Sequence, residues 1–105
     1  MTSRQREHPD AAEEFDAAVH WYQGERPGLG LLLVDRAERA LRDIADWPDA
    51  GAPYLTTRDG TVIRMRTIHG FPYRIIYTVD SDEILILAYA HERRAPGYWI
   101  ARHRG

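Results

Sequence analysis

The residues of this 105-residue chain that could do chemistry gather where its most apolar run ends. Ile84 to Ala90 is apolar at every position, and His91-Glu92-Arg93-Arg94-Ala95-Pro96-Gly97-Tyr98-Trp99 follows directly. His91 could serve as acid or base near neutral pH. Arg64, Arg66, Arg74 and Arg94 could hold a phosphate as charge develops on it, and Tyr98 could stack or donate. These are ingredients of metal-free RNA cleavage, with His91, Arg64, Arg74 and Tyr98 as the catalytic candidates. The same segment also supports binding without catalysis, because Arg93, Arg94, Tyr98 and Trp99 are of the types found at interaction hot spots. The bland alternative is that His91 caps a strand end, Arg64, Arg66 and Arg74 form a solvated sheet face, and Tyr98 and Trp99 plug the edge of the core.

Other chemistry has less support. His20, His69 and His103 have no ligand spacing with one another or with the acids, so no metal site is expected. There is no Gly-rich phosphate loop, and Pro27-Gly28-Leu29-Gly30 reads as a turn between helices, so no cofactor is expected. The acids that follow Pro9 are most simply a solvated helix face.

Composition bounds the rest. At 44% hydrophobic content, residues 1–105 suffice for one domain with one modest core. There is no cysteine, no signal-type apolar start, and no apolar run near the roughly 20 residues of a membrane span. These features predict a cytoplasmic protein with no membrane partner. The net charge of -2 hides an asymmetry: residues 1–50 hold 6 Arg against 11 acids, and residues 51–105 hold 8 Arg against 5. With a pI near 6.2, well below the roughly 9 usual for nucleic-acid-binding domains, direct sequence-specific DNA binding by this chain alone is not expected.

The elements that must position these residues follow from periodicity. Asp10, with Glu13 three residues on, predicts a helix start, and Ala11, Phe15, Ala18, Val19 and Tyr22 keep helical spacing up to Gly24. A second helix is predicted over residues 29–46, with Leu33, Ala37, Ala40, Leu41 and Ile44 as its stripe and Trp47-Pro48 as its stop. Beyond a loop with a short extended piece at Tyr54 to Thr57, strands are predicted at Val62 to Ile68, Phe71 to Val79 and Glu83 to Ala90. The expected fold is α+β: an antiparallel helical hairpin on one face of a small antiparallel sheet, with a short closing helix starting at Pro96. Residues 1–8 read as a tail or a weak edge strand. The predicted core is Phe15, Val19, Leu33, Leu41, Ile44, Ile75, Tyr77, Ile84 and Ile86.

Trp21-Tyr22, Pro27-Gly28-Leu29-Gly30, Ile63-Arg64, Phe71-Pro72-Tyr73 with Tyr77, and His91 followed by Arg94 to Trp99 together resemble the RelE/ParE superfamily of type II toxin-antitoxin toxins. The resemblance spans residues 9–102 and implies the helical-hairpin-on-sheet fold and a cognate antitoxin that holds the toxin inactive. It also implies one of two targets: DNA gyrase, poisoned by ParE-like members, or messenger RNA on the ribosome, cut by RelE-like members. RelE-like ribonucleases are in general strongly basic and often Lys-rich, whereas this chain is slightly acidic and has no Lys, which favours the gyrase-binding type. A degenerate toxin that retains only antitoxin binding is the remaining alternative.

Overall fold

Helix α1 (Pro9–Glu25) starts at a proline, whose missing N–H would be unpaired in the first turn anyway. Its cap is His8, whose Nδ1 accepts the Asp10 N–H at 3.1 Å, so Asp10 lies inside the helix rather than capping it. The helix also runs through Gly24, because Arg26, not the glycine, is the residue that leaves helical geometry. Helix α2 (Leu29–Asp46) follows after Gly28, which supplies a left-handed backbone at φ 90°. Gly30 sits where a side chain would come within 2.6 Å of the Val19 carbonyl. The Gln23 side chain accepts from the N–H groups of both Gly28 and Gly30. The Pro-Gly-Leu-Gly phrase is thus the close approach of the helical hairpin.

The computed structural model describes residues 4–104; Thr2 and Ser3, part of the doubtful first strand, lie outside the described residues. Strands β1 (Arg4–Glu7), β2 (Ala52–Thr56), β3 (Val62–Thr67), β4 (Tyr73–Asp80) and β5 (Glu83–His91) form one sheet in the order β1-β5-β4-β3-β2. Pairing from β2 to β5 is antiparallel, as expected, and the weak N-terminal segment adds a parallel edge beside β5, which makes the sheet mixed. All four β1 residues are exposed. Backbone pairing and ionic contacts such as Arg6–Glu83 at 3.2 Å hold this strand, which is why its sequence lacks an apolar pattern. In place of a closing α-helix there is a 3-10 turn at Ile100–Arg104.

Both faces of β5 are covered, as its unbroken apolar run requires. Toward the helices, Ile75, Tyr77, Ile84, Ile86 and Tyr89 pack with Leu33, Ala37 and Ile44, while Phe15, Val19 and Leu41 are only partly buried against them. On the opposite face Ile63, Ile76, Leu87, Ala88 and Ala90 pack with Trp99. Leu87 has no cross-strand partner, because Tyr77 faces Ile86 and Ile76 faces Ala88. This bulge turns Leu87 and Ala88 to the same side and brings Tyr89 back to the helix face.

Gly51 links the helical and strand halves. Its backbone is extended at φ -64°, so only space forbids a side chain: a Cβ would lie 2.1 Å from the Tyr77 hydroxyl, which donates to Pro48 O at 2.7 Å. Gly51→Ala is therefore expected to lower stability in urea denaturation by about 1–3 kcal/mol. In a Tyr77→Phe background the same change should cost clearly less, and a purely additive double mutant would contradict this account.

Candidate functional site

Past Glu7, β1 ends and α1 begins, but β5 continues for five more residues. Its outer edge would be left with unpaired backbone groups, each expensive to bury without a partner. Side chains replace the missing strand. Glu14 of α1 accepts the Tyr89 N–H at 3.2 Å, and Arg102 donates to Leu87 O at 2.9 Å. The two then join each other through a double contact, at 3.0 and 3.2 Å, the two-pronged geometry at which a guanidinium outdoes an ammonium. Arg102 also comes within 3.9 Å of Asp10. Glu14 and Arg102 are each only 15% exposed, so Glu14 is not part of a solvated acidic face.

Above this pair lies a cleft of about 510 Å³ between α1 and the ends of β4 and β5. Ala17 and Ala18 line it with Tyr73, Tyr89 and the exposed Trp21, and His91, Arg94 and Tyr98 complete it. Aromatic packing continues through Tyr22, whose ring meets the edges or faces of Trp21, Phe71 and Tyr73 at 4.9 to 6.3 Å. The Arg94 guanidinium lies 3.8 Å over the Tyr98 ring and 3.7 Å from Glu14. The Tyr98 hydroxyl is buried and makes no hydrogen bond of normal geometry. Burial first, then the nearby Glu14 carboxylate, pushes its pKa up to about 12. Tyr89 is raised still further by burial and by its bond to Glu7, and Tyr73 is raised mainly by burial.

The candidate residues separate accordingly. His91, Arg94 and Tyr98 do meet in one cleft. His91 stands edge-on to Tyr73 at 5.2 Å, and its Nδ1 accepts the Arg93 N–H, which leaves only Nε2 for chemistry. Arg93 is exposed. Of the four arginines proposed to hold a phosphate, only Arg94 lies in this cleft. Arg64 donates to Asp49 O and Gly51 O, pinning the loop before β2. Arg66 pairs with Asp43 of α2 at 2.9 Å. Strand alternation puts both on the helix face and Arg74 on the opposite one, beside Ile76. Nor is Trp99 a surface aromatic: it is 1% exposed and fills the second core.

Sequence reasoning passed over Glu14, Arg102 and Trp21. The signal for Glu14 was present, since it lies three residues after Ala11 and four before Ala18, on the buried stripe of α1. Arg102 and Tyr89 had no comparable signal, because a β-bulge decides which face Tyr89 takes and the return of the C-terminal turn to β5 decides what Arg102 meets. Among the described residues, no group of three or more His, Asp or Glu is placed to hold a metal, and no helix is long and apolar enough to cross a membrane.

The fold is that of a known toxin-antitoxin component. A solved chain described as "Chromosomal ParDE TA system from P. aeruginosa" superposes with a TM-score of 0.70 at 21% identity, over 86% of this chain and 96% of that one. The family model for the ParE toxin of the type II toxin-antitoxin system parDE matches residues 6–96, and the chain belongs to that family. No curated protein matches it. Tyr98, Trp99 and Arg102 lie beyond the matched residues.

Two outcomes check this reading of the site. Glu14→Ala leaves the Tyr89 N–H without its acceptor and takes from Arg102 its two-pronged carboxylate partner, with Leu87 O and Asp10 remaining. It should lower stability by about 1–3 kcal/mol in chemical denaturation. Tyr98→Phe removes a hydroxyl without a partner, so stability at neutral pH should be unchanged or higher. Because the folded pKa of Tyr98 is above its unfolded value near 10, its contribution is intact below pH 10 and is lost as pH rises toward 12. Thermal unfolding between pH 9 and 12 should therefore fall less steeply in Tyr98→Phe than in the parent.

Proposed function

We propose that this ParE-family protein is neutralised in the cytoplasm by a cognate antitoxin and arrests growth by binding a macromolecular target, with DNA gyrase first, rather than by cutting RNA. The observation that carries this reading is the dispersal of the arginines: Arg64 and Arg66 are engaged at the helix face, and Arg74 is on the other side of the sheet. Among the described residues, none of Arg64, Arg66 and Arg74 lines the cleft around His91. What that cleft offers is an aromatic wall, with Trp21 and Arg94 both exposed, beside Arg93. Trp, Tyr and Arg around a pocket are the types that dominate binding energy at protein interfaces.

One observation favours the ribonuclease alternative, namely that His91, Arg94 and Tyr98 share the cleft. Induction of the protein alone should arrest growth, and co-expression of a small gene beside its own should restore it. A harmless protein would instead indicate a degenerate toxin. Trp21→Ala with Arg94→Glu should abolish the arrest while leaving the fold intact by circular dichroism, whereas His91→Ala should largely retain it. Deleting everything from Arg93 onward is not a fair test, since it removes Trp99 from the core and Arg102 from β5. Primer extension on messenger RNA, run beside a gyrase supercoiling assay, separates the targets. Cleavage that drops on the order of a hundredfold in His91→Ala, with supercoiling untouched, would overturn the proposal.

A further inference from the structure

A second concave surface, on the far side of the helical hairpin's α2, is built differently from the aromatic cleft. It is a groove of about 540 Å³ between α2 and the ends of β2 and β3. Along α2, Arg36, Arg39 and Asp43 line it at successive turns, and Arg66, Thr67 and His69 form its other wall. Counting His69 as neutral, three guanidinium groups face one carboxylate there, in a chain whose overall charge is -2. Neither intramolecular ion pair in this region is buried: Arg39–Asp35 is 66% and 53% exposed, and Arg66–Asp43 is 36% and 53% exposed. Exposed pairs of this kind are worth little and exchange readily for another carboxylate.

The floor of the groove carries an open strand position. Ile68 donates its N–H to Tyr73 O of β4, so by strand alternation the N–H and C=O of Thr67 point the other way, into the lane occupied by β2. But β2 begins at Ala52, paired with Met65. The residue that would face Thr67 is Ala50, which is turned away in the 3-10 turn Pro48–Ala50, with its N–H on Trp47 O. Arg64 holds this loop back through Asp49 O and Gly51 O. Thr67 is exposed, and the β2–β3 pairing ends at Ala52↔Met65, so no residue of β2 stands opposite Thr67.

We infer that this groove is the docking lane for an acidic, extended segment of the cognate antitoxin. The inference rests on the antitoxin reading above and names where and how that partner is held. The segment would pair its backbone with Thr67, continuing the line of β2 along the edge of β3, while carboxylates spaced two residues apart meet Arg36 and Arg39 on one side and Arg66 on the other. The vacant peptide position selects a polypeptide over a nucleic-acid backbone, because both an N–H and a C=O need partners in strand geometry. Arginine forks suit carboxylates in that setting.

The test uses the full chain with the co-expressed product of the small gene beside its own. In titration calorimetry at fixed ionic strength, Arg36→Glu with Arg39→Glu should weaken that complex at least tenfold, and added salt should weaken the parent complex in the same direction. Hydrogen exchange on the unsubstituted protein provides a second readout: the Thr67 amide should exchange fast when free and slowly in the complex. Parent binding with an unchanged affinity for the double variant, or with Thr67 still unprotected, overturns the groove assignment and leaves the toxin reading standing. If the parent protein binds no such product, both fall. Binding of short duplex DNA or RNA that the double variant loses would make the groove a nucleic-acid site and would also overturn the inference.

Discussion

The contact on which the rest of this molecule depends is the one between Glu14 and Arg102 on the edge of β5. A nine-residue strand flanked on one side by a four-residue partner leaves backbone groups that neither water nor another strand satisfies well inside a fold. Placing a carboxylate from the first helix and a guanidinium from the last turn against those groups closes the edge. It also fixes α1 over the sheet and brings the C-terminal turn back against β5, which in turn seats Trp99 in the second core. Chain ends separated by 88 positions thereby become one structural unit.

The cleft follows from this arrangement. With Arg102 turned inward to Glu14 and Leu87 O, Arg94 is the cation left at the surface, and Tyr98 lies between the two guanidinium groups at 3.8 and 5.2 Å. The β-bulge at Leu87 sets which residues the cleft contains. Had the same residues paired in regular alternation through Leu87, Tyr89 and His91 would face the Trp99 side of the sheet and Ala88 and Ala90 would face α1. The bulge thus decides whether the histidine has an aromatic cleft around it.

Much of the fold was legible because periodicity reports burial directly. The stripe of α2, the turn at Pro27-Gly28 and the apolar run of β5 each follow from local rules, and α2 spans the residues expected of it. What could not be read was anything that depends on register. Arg64, Arg66 and Arg74 look alike along the chain, yet pairing in β3 and β4 sends the first two toward the helices and the third away. Trp99 looked like a surface anchor because it follows charged residues, but the second sheet face needed a lid that neither helix supplies. β1 was hard to recognise for the opposite reason, since its stability comes from backbone pairing and exposed ion pairs that leave no hydrophobic signature.

The charge asymmetry between the two halves of the chain takes on a different meaning once the contacts are known. A surplus of acids before residue 50 and of arginines after it suggested a basic half made for an external anion. In the folded protein much of that surplus is spent internally, with Glu14 and Asp10 facing Arg102, Asp43 facing Arg66, and Asp49 within 4.0 Å of Arg64. These pairs clamp the helical half to the strand half. Among the exposed and half-buried arginines, Arg93 and Arg94 lie at the aromatic cleft and Arg36 and Arg39 on the flank of α2, where Arg94, Arg36 and Arg39 border concave surfaces. The cleft is lined from α1 and the groove from α2, so a segment seated in the groove would leave the cleft uncovered unless it continued around the hairpin.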